Sequence, residues 1–475
     1  MKFSEYIQYD GIGLADLIRR KEITPHELLE TTIRTIEELN PSLNAVVNKM
    51  YDHARRYVDK GLPEAPFSGV PFLLKDLLAD YAGIPTSAAW KHHNNVIPDR
   101  DAEIVVRQKN AGLIIVGKTA LPELAASWNT ESELFGNTYN PWNKKYGSGT
   151  SSGGSAVAVA AGMVPMAHGG DGGGSIRCPA SCCGVVGLKP SRGRNPVGPA
   201  DGDRWYGMVV EHVLTRSVRD TASMLDVTSG PEIGSFINPA PKDRIFLEDV
   251  GVNPGKLRIA FSTKAPYGAQ THPDCIAAVE KTAKLCIELG HEVEEDSPLL
   301  PDNGFEALCN VLMPEFAADV NNDEERLGRK LGPDDFEGVI WEFITRGRSI
   351  SGAEHALGLR TLHVIARTYA EFFQKYDIIM TPTLATPPPP IGIFNLHDTD
   401  LDGHFERYLE FMPYTHVFNI SGQPAISLPL HWNDEELPIG VQFATRWPEE
   451  GTLIRLASQL EEAAPWRDRY PASGS

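Results

Sequence analysis

Positive charge is scarce in this chain. Its 475 residues carry 44 Lys plus Arg against 63 Asp plus Glu, a formal net charge of −19. A surface so acidic repels a phosphate backbone, so nucleic acid is excluded as the expected partner. Cysteine is sparse as well, with six residues at 178, 182, 183, 275, 286 and 309. None has the paired C-x-x-C or H-x-x-x-H spacing of a zinc site, and such sparse thiols fit a reducing compartment. No stretch reaches the ~18 consecutive apolar residues of a membrane span. The opening MKFSEYIQYDGIG has no apolar core of the kind a secretory signal needs. The expectation is a cytoplasmic, membrane-free protein. At 41% hydrophobic residues it is not a disordered chain, and its length can bury roughly three quarters of the unfolded surface.

Local patterns alternate between helix and strand. Thr24-Pro25-His26-Glu27 has capping-box spacing with proline at the first helical position, and Leu28, Leu29, Ile33 and Ile36 then form one apolar stripe. The run 70–74 reads as a buried strand whose far end delivers Lys75, and 113–116 reads as a second. Farther on, 256–262 predicts a strand and 276–289 an amphipathic helix closed by Gly290. A helix over 359–376 leads into a strand at 378–380, and 424–430 and 439–443 read as further strands. The proline-rich 381–390 then reads as a rigid loop inside one domain. The expected fold is α/β: a single large layered domain over 1–475, with a mixed central sheet covered by helices on both faces. Its core would span 60–230 and 375–465, with a variable helical region at about 300–370.

Composition changes abruptly at 147–177, where two glycine-serine clusters bracket a small-residue run at 156–162 that alanine content assigns to helix. A phosphate cradle would need G-x-x-x-x-G-K-[ST], and neither cluster supplies the lysine; G-x-G-x-x-G fails because position 175 is serine. Gly149 to Gly153 does match G-x-S-x-G, the nucleophile elbow of α/β-hydrolase-type serine esterases. No apolar strand precedes it, however, and a partner would have to be His404, His416 or His431. A third reading joins the clusters. Ser175 follows Gly172, Gly173 and Gly174, so one stretch offers a nucleophile and backbone N–H groups for a developing oxyanion. Composition alone leaves these readings, and a merely flexible turn, open.

The segments GVPFLLKD (69–76), 147–177, VVGLKPSRGR (185–194) and SGQPAISLPL (421–430) together resemble the amidase signature family, and the likeness spans most of the chain. The resemblance implies a Ser-cisSer-Lys triad: Ser175 is acylated, Ser151 in a cis peptide relays protons, and Lys75 is the base. It also implies an oxyanion hole from the amides of Gly172, Gly173, Gly174 and Ser175. Thr150 stands where glycine is common in the family. Ser152 is the neighbouring candidate hydroxyl, and Asp171 and Arg177 flank the nucleophile as a brace. His168 reads as a packing residue in preference to a pocket-wall donor, and His92-His93 as exposed in preference to ligating.

The residue types suit the chemistry. A hydroxyl needs a base in reach, and lysine serves as one only when burial lowers its ordinary pKa of ~10.4. No metal or organic cofactor enters. The implied activity is hydrolysis of C–N bonds in small-molecule amides: anilides, cyclic or oligomeric amides, or carbamates. Within the family, the 167–194 block and LEEAAPWRDRYP at the C-terminal end are most similar to stand-alone hydrolases of nylon-type cyclic amide oligomers. A glutaminase subunit of a tRNA-dependent amidotransferase is the alternative, against which stands Cys178, where those enzymes often carry glutamine. The substrate pocket is expected to draw on 300–370, on 381–390 and on Phe405, Tyr408, Phe411 and Tyr414. The resemblance also allows a homodimer.

Overall fold

The computed structural model describes residues 1–471 apart from 201, 203, 238, 240, 242 and 243. Among these residues, eleven strands form one mixed sheet. In chain order they are β1 (Val46–Lys49), β2 (Pro71–Lys75), β3 (Ile114–Thr119), β4 (Met166–Asp171), β5 (Val186–Lys189) and β6 (Val210–Thr215). They continue as β7 (Arg258–Phe261), β8 (Glu292–Glu295), β9 (Ile378–Pro382), β10 (Ala425–Trp432) and β11 (Pro438–Thr445). Their spatial order is β1-β3-β2-β4-β6-β5-β10-β11-β9-β7-β8. β2 runs parallel to both β3 and β4, and β4 is antiparallel to β6. Strands in the middle of such a sheet are covered on both faces, which is why 70–74 is apolar throughout instead of alternating.

The helices follow their sequence signals. Pro25–Leu43 begins with the expected capping box: Glu27 N–H donates to Thr24 Oγ1 at 3.2 Å and Thr24 N–H to Glu27 Oε2 at 2.8 Å. Its stripe of Leu28, Leu29, Ile33 and Ile36 is buried. The small-residue run after the first glycine-serine cluster is the helix Gly153–Ala160, with all eight residues buried. An all-round apolar helix is stable only inside a core, and small side chains let the backbone pack closely there. The helix Pro273–Glu288 is followed by Gly290 at φ +96°.

Between β8 and β9 the chain forms three helices, Gly304–Leu327, Gly338–Ser349 and Gly352–Lys375. The last starts seven residues before the expected 359, because Ser351 and Glu354 make a capping box that the apolar periodicity does not register. His92 and His93 correct their expectation of exposure. They are partly buried, paired with Asp335 and Asp323 at 2.8 Å each, and pin the 85–97 loop against this helical region. Trp90 stacks on Phe336 in the same contact, with ring centroids 5.1 Å apart.

Candidate active site

The C-terminal end of β2 carries Lys75 inward, 2% exposed, with four apolar residues before it. Its Nζ donates to Ser151 Oγ at 2.5 Å and to the Gly170 carbonyl at 3.4 Å. Burial pushes the Lys75 amine down to about 8, against the opposing pull of the Glu211 and Asp171 carboxylates. At that value roughly a tenth of this lysine is uncharged at pH 7, against well under a thousandth for an ordinary one.

Ser151 sits just before the helix Gly153–Ala160, in the left-handed region at φ +57°. The cis peptide implied by the resemblance is not present. The two cis bonds among the described residues, Gly198–Pro199 and Trp447–Pro448, both precede proline, whereas Thr150–Ser151 is trans. From this positive-φ position the Ser151 hydroxyl meets the Lys75 amine. Thr150 is anchored by its hydroxyl, which donates to the Ser127 carbonyl at 2.5 Å. Ser152 points elsewhere: its hydroxyl lies 3.3 Å from both the N–H and the C=O of Gly170, tying the serine loop to β4.

Ser175 follows β4 on the glycine turn and lines the same cavity as Lys75, Ser151, Gly172 and Gly173. None of the amides of Gly172, Gly173, Gly174 and Ser175 donates to an acceptor among the described residues. Unpartnered backbone donors next to a hydroxyl are candidates for binding an oxyanion. Gly174 cannot be replaced without strain. It has φ +140°, and a Cβ there would lie 2.5 Å from Thr415 Oγ1, whose hydroxyl donates to the Gly173 carbonyl at 2.6 Å. Gly174→Ala is expected to lower kcat by about 10²–10³-fold with little change in KM, because misdirected amides weaken transition-state more than ground-state contacts. Steady-state kinetics check this.

Beneath the turn lies a fully buried ion pair. Arg177 Nε donates to Asp171 Oδ2 at 2.9 Å and its NH2 to Oδ1 at 2.9 Å. Asp171 also accepts from the N–H of Ile176, and Arg177 reaches the Thr415 carbonyl and Gln442. Burial favours the neutral acid, yet the guanidinium and the Asn419 amide outweigh it and hold the carboxyl down at about 2. The pair thus braces the turn from below. Arg177→Met leaves Asp171 buried and unpaired, so a loss of about 3–5 kcal/mol of stability is expected in urea unfolding.

The walls are mainly apolar. Phe305, Leu312 and Phe316 come from the helix Gly304–Leu327, Phe343 from the next helix, and Phe405 and Tyr408 from Leu401–Phe411. Phe305 stacks on Tyr408 at 5.3 Å. Two expected lining residues lie elsewhere: Phe411 packs into the core, and Tyr414 bonds Thr271 and the Thr263 carbonyl. The 381–390 segment also does not reach the cavity, since its prolines line a separate surface depression with Tyr146 and Arg407. Of the histidines weighed for an elbow, His416 lines the cavity, His404 packs against Trp128, and His431 bonds Thr282. None bonds Ser151 or Ser152 among the described residues.

Three contributors escaped the sequence reading. Cys309 lines the cavity, while the other five thiols are buried and all six are free. Thr415, just before the helix His416–Ser421, braces the glycine turn, and Glu211 lines the same cavity as Lys75. Only Glu211 carried a signal, as a charged residue inside the apolar strand VVEHVLT.

The amidase family model matches residues 27–454, and the chain belongs to this family of amide-hydrolysing enzymes. It is 38% identical over 478 residues to the 6-aminohexanoate-cyclic-dimer hydrolase of Paenarthrobacter ureafaciens, covering 97% of this chain and 96% of that protein. A solved structure of 6-aminohexanoate cyclic dimer hydrolase complexed with substrate superposes with a TM-score of 0.93 at 36% identity, over 98% of this chain and 99% of that one. A bacterial aryl acylamidase of the amidase signature enzymes gives 0.87 at 26% identity, covering 96% of each chain.

Proposed function

We propose that this amidase acts on small neutral amides through a covalent intermediate on Ser175. The observation that carries the reading is the 2.5 Å bond from the buried Lys75 amine to Ser151, inside the cavity that Ser175 lines. Uncharged Lys75 takes the Ser151 hydroxyl proton as Ser151 takes that of Ser175. The freed Ser175 oxygen attacks the substrate carbonyl, and the four amides of 172–175 receive the oxyanion. The proton then returns through Ser151 to the leaving nitrogen, the C–N bond breaks and the amine departs. Water, activated by the same relay, hydrolyses the ester on Ser175. Ser152, Asp171 and Arg177 support the loops that carry these groups.

The favoured substrates are amides of aliphatic ω-amino acids, cyclic or linear, with 6-aminohexanoate cyclic dimer first among them. An aromatic-walled cavity suits polymethylene segments, and Arg204, which borders it, is engaged by Asp319. That leaves little to recognise the carboxylate of free glutamine. Carbamates and anilides would enter the same acyl-enzyme route. A hydrolysis screen across 6-aminohexanoate cyclic dimer, linear aliphatic amides, anilides, a carbamate and glutamine decides the class. Turnover of the cyclic or aliphatic amides is expected, and activity on glutamine alone would overturn the reading.

A further inference from the structure

One buried carboxylate on the cavity wall has no part in the relay just described. Glu211, on β6, is 1% exposed and lines the cavity. Its Oε2 is bonded to His168 Nε2 at 2.9 Å, while Oε1 is buried with no partner among the described residues. Buried carboxylate oxygens are rarely left unpaired, so this one asks for a reason.

Its surroundings supply one. Glu211 pairs with Gly170 across the β4–β6 ladder, and a Cβ on Gly170 would lie 2.9 Å from Oε1. The free oxygen therefore rests over the residue whose carbonyl accepts from Lys75 Nζ. His168 joins the two sites directly. The Lys75 N–H donates to its Nδ1 at 3.4 Å, which leaves the proton on Nε2 to be donated to Glu211. His168 is thus a connecting residue and not simple packing.

We infer that Glu211, held by His168, is the counter-charge for the ammonium that forms on Lys75 when Ser175 gives up its proton. The inference rests on the relay proposed above. Other charges around Lys75 are already matched. Asp171 on β4 is bound by Arg177, Asp76 is paired with Lys118 on β3, and Arg204 on the cavity's far side is paired with Asp319. Glu211 lines the same cavity as the amine and keeps one carboxylate oxygen without a hydrogen-bond partner among the described residues. During attack a proton arrives on an amine sequestered from water, and a fixed negative charge in low dielectric stabilises that product. The same charge counters part of the burial effect on the resting amine. Glu211 acts on the reaction through Lys75 and is a positioning residue.

The test is the pH dependence of kcat/KM for the full-length enzyme and for Glu211→Gln, on whichever amide the screen identifies. The neutral variant keeps the size of the side chain and its bond to His168. Its acid limb is expected to move down by about one pH unit, because an ammonium without its counter-ion loses its proton more readily. The alkaline plateau of kcat should fall about tenfold, since a weaker base drives attack less well, with KM little changed. His168→Gln, which loosens the carboxylate without removing it, should move both quantities in the same direction by less. Unchanged midpoint and plateau in Glu211→Gln, with the wild-type limb in place, would overturn this inference and leave the relay standing. A wild-type profile with no limb near 8 would overturn the relay itself. Should Glu211→Gln not fold, a His168→Gln profile identical to wild type overturns the inference.

Discussion

Ser175→Ala is expected to reduce amide turnover by at least about 10⁴-fold while the protein folds and melts as the wild type does. Loss of a nucleophile removes the covalent route entirely, and what remains is positioning and oxyanion stabilisation, which in serine hydrolases leaves a residual rate far below the normal one. Ser175 makes no hydrogen bond that the fold depends on, so stability should hardly move. Intact-mass spectrometry supplies the complementary readout: a substrate whose acyl-enzyme breaks down slowly should add its acyl mass to the wild type and none to the variant. Full turnover in Ser175→Ala would remove this residue from its proposed role.

Lys75→Met should cost a comparable amount, about 10³-fold or more in kcat/KM, and should also flatten the acid limb of the pH profile. Methionine fills the same volume without an amine, so Ser151 keeps its place but has nothing to accept its proton. The variant is not expected to be less stable. Burying a lysine in an apolar strand end disfavours its charged form, and an apolar side chain removes that penalty. Denaturant midpoints equal to or above the wild type, together with the loss of activity, separate a chemical role from a structural one. Arg177→Met offers the contrast, since there the loss of stability should come first.

These expectations differ in how far the chain betrayed them before any coordinates. Lys75 was legible because a continuous apolar run predicts a central strand and a strand has a defined end. The helix Gly153–Ala160 was legible only in part: the small-residue run 156–162 suits a packed helix or a strand, its alanines favour the helix, and the start at Gly153 was not marked. The glycine-serine clusters were ambiguous by themselves, because phosphate cradles, elbows and oxyanion turns all use glycine for the same conformational freedom. Resemblance to a family resolved them. Backbone detail did not transfer with it: Ser151 reaches Lys75 through a positive φ, not a cis bond.

Long-range partnership was the least visible part. Thr415 and Asn419 are more than 200 residues from the turn they support, and no local periodicity links them to it. The cavity walls were half legible for the same reason. Phe405 and Tyr408 fall on the face of their helix that meets Phe305, whereas Phe411 on the same helix turns into the core. Of the expected loop 381–390, residues 381 and 382 belong to β9, and the prolines 387–390 follow in a loop whose composition says nothing about which depression it borders.

The central claim, an uncharged lysine feeding a serine relay, is tested most directly by the rate at which a fluorophosphonate labels Ser175 as pH is varied. Phosphonylation reports the nucleophile without any later acyl-enzyme step. The second-order rate constant should rise tenfold per unit at low pH and level off with a midpoint of about 8, the value to which burial brings Lys75. A midpoint near the ordinary lysine value, or a rate independent of pH between 6 and 10, would contradict it.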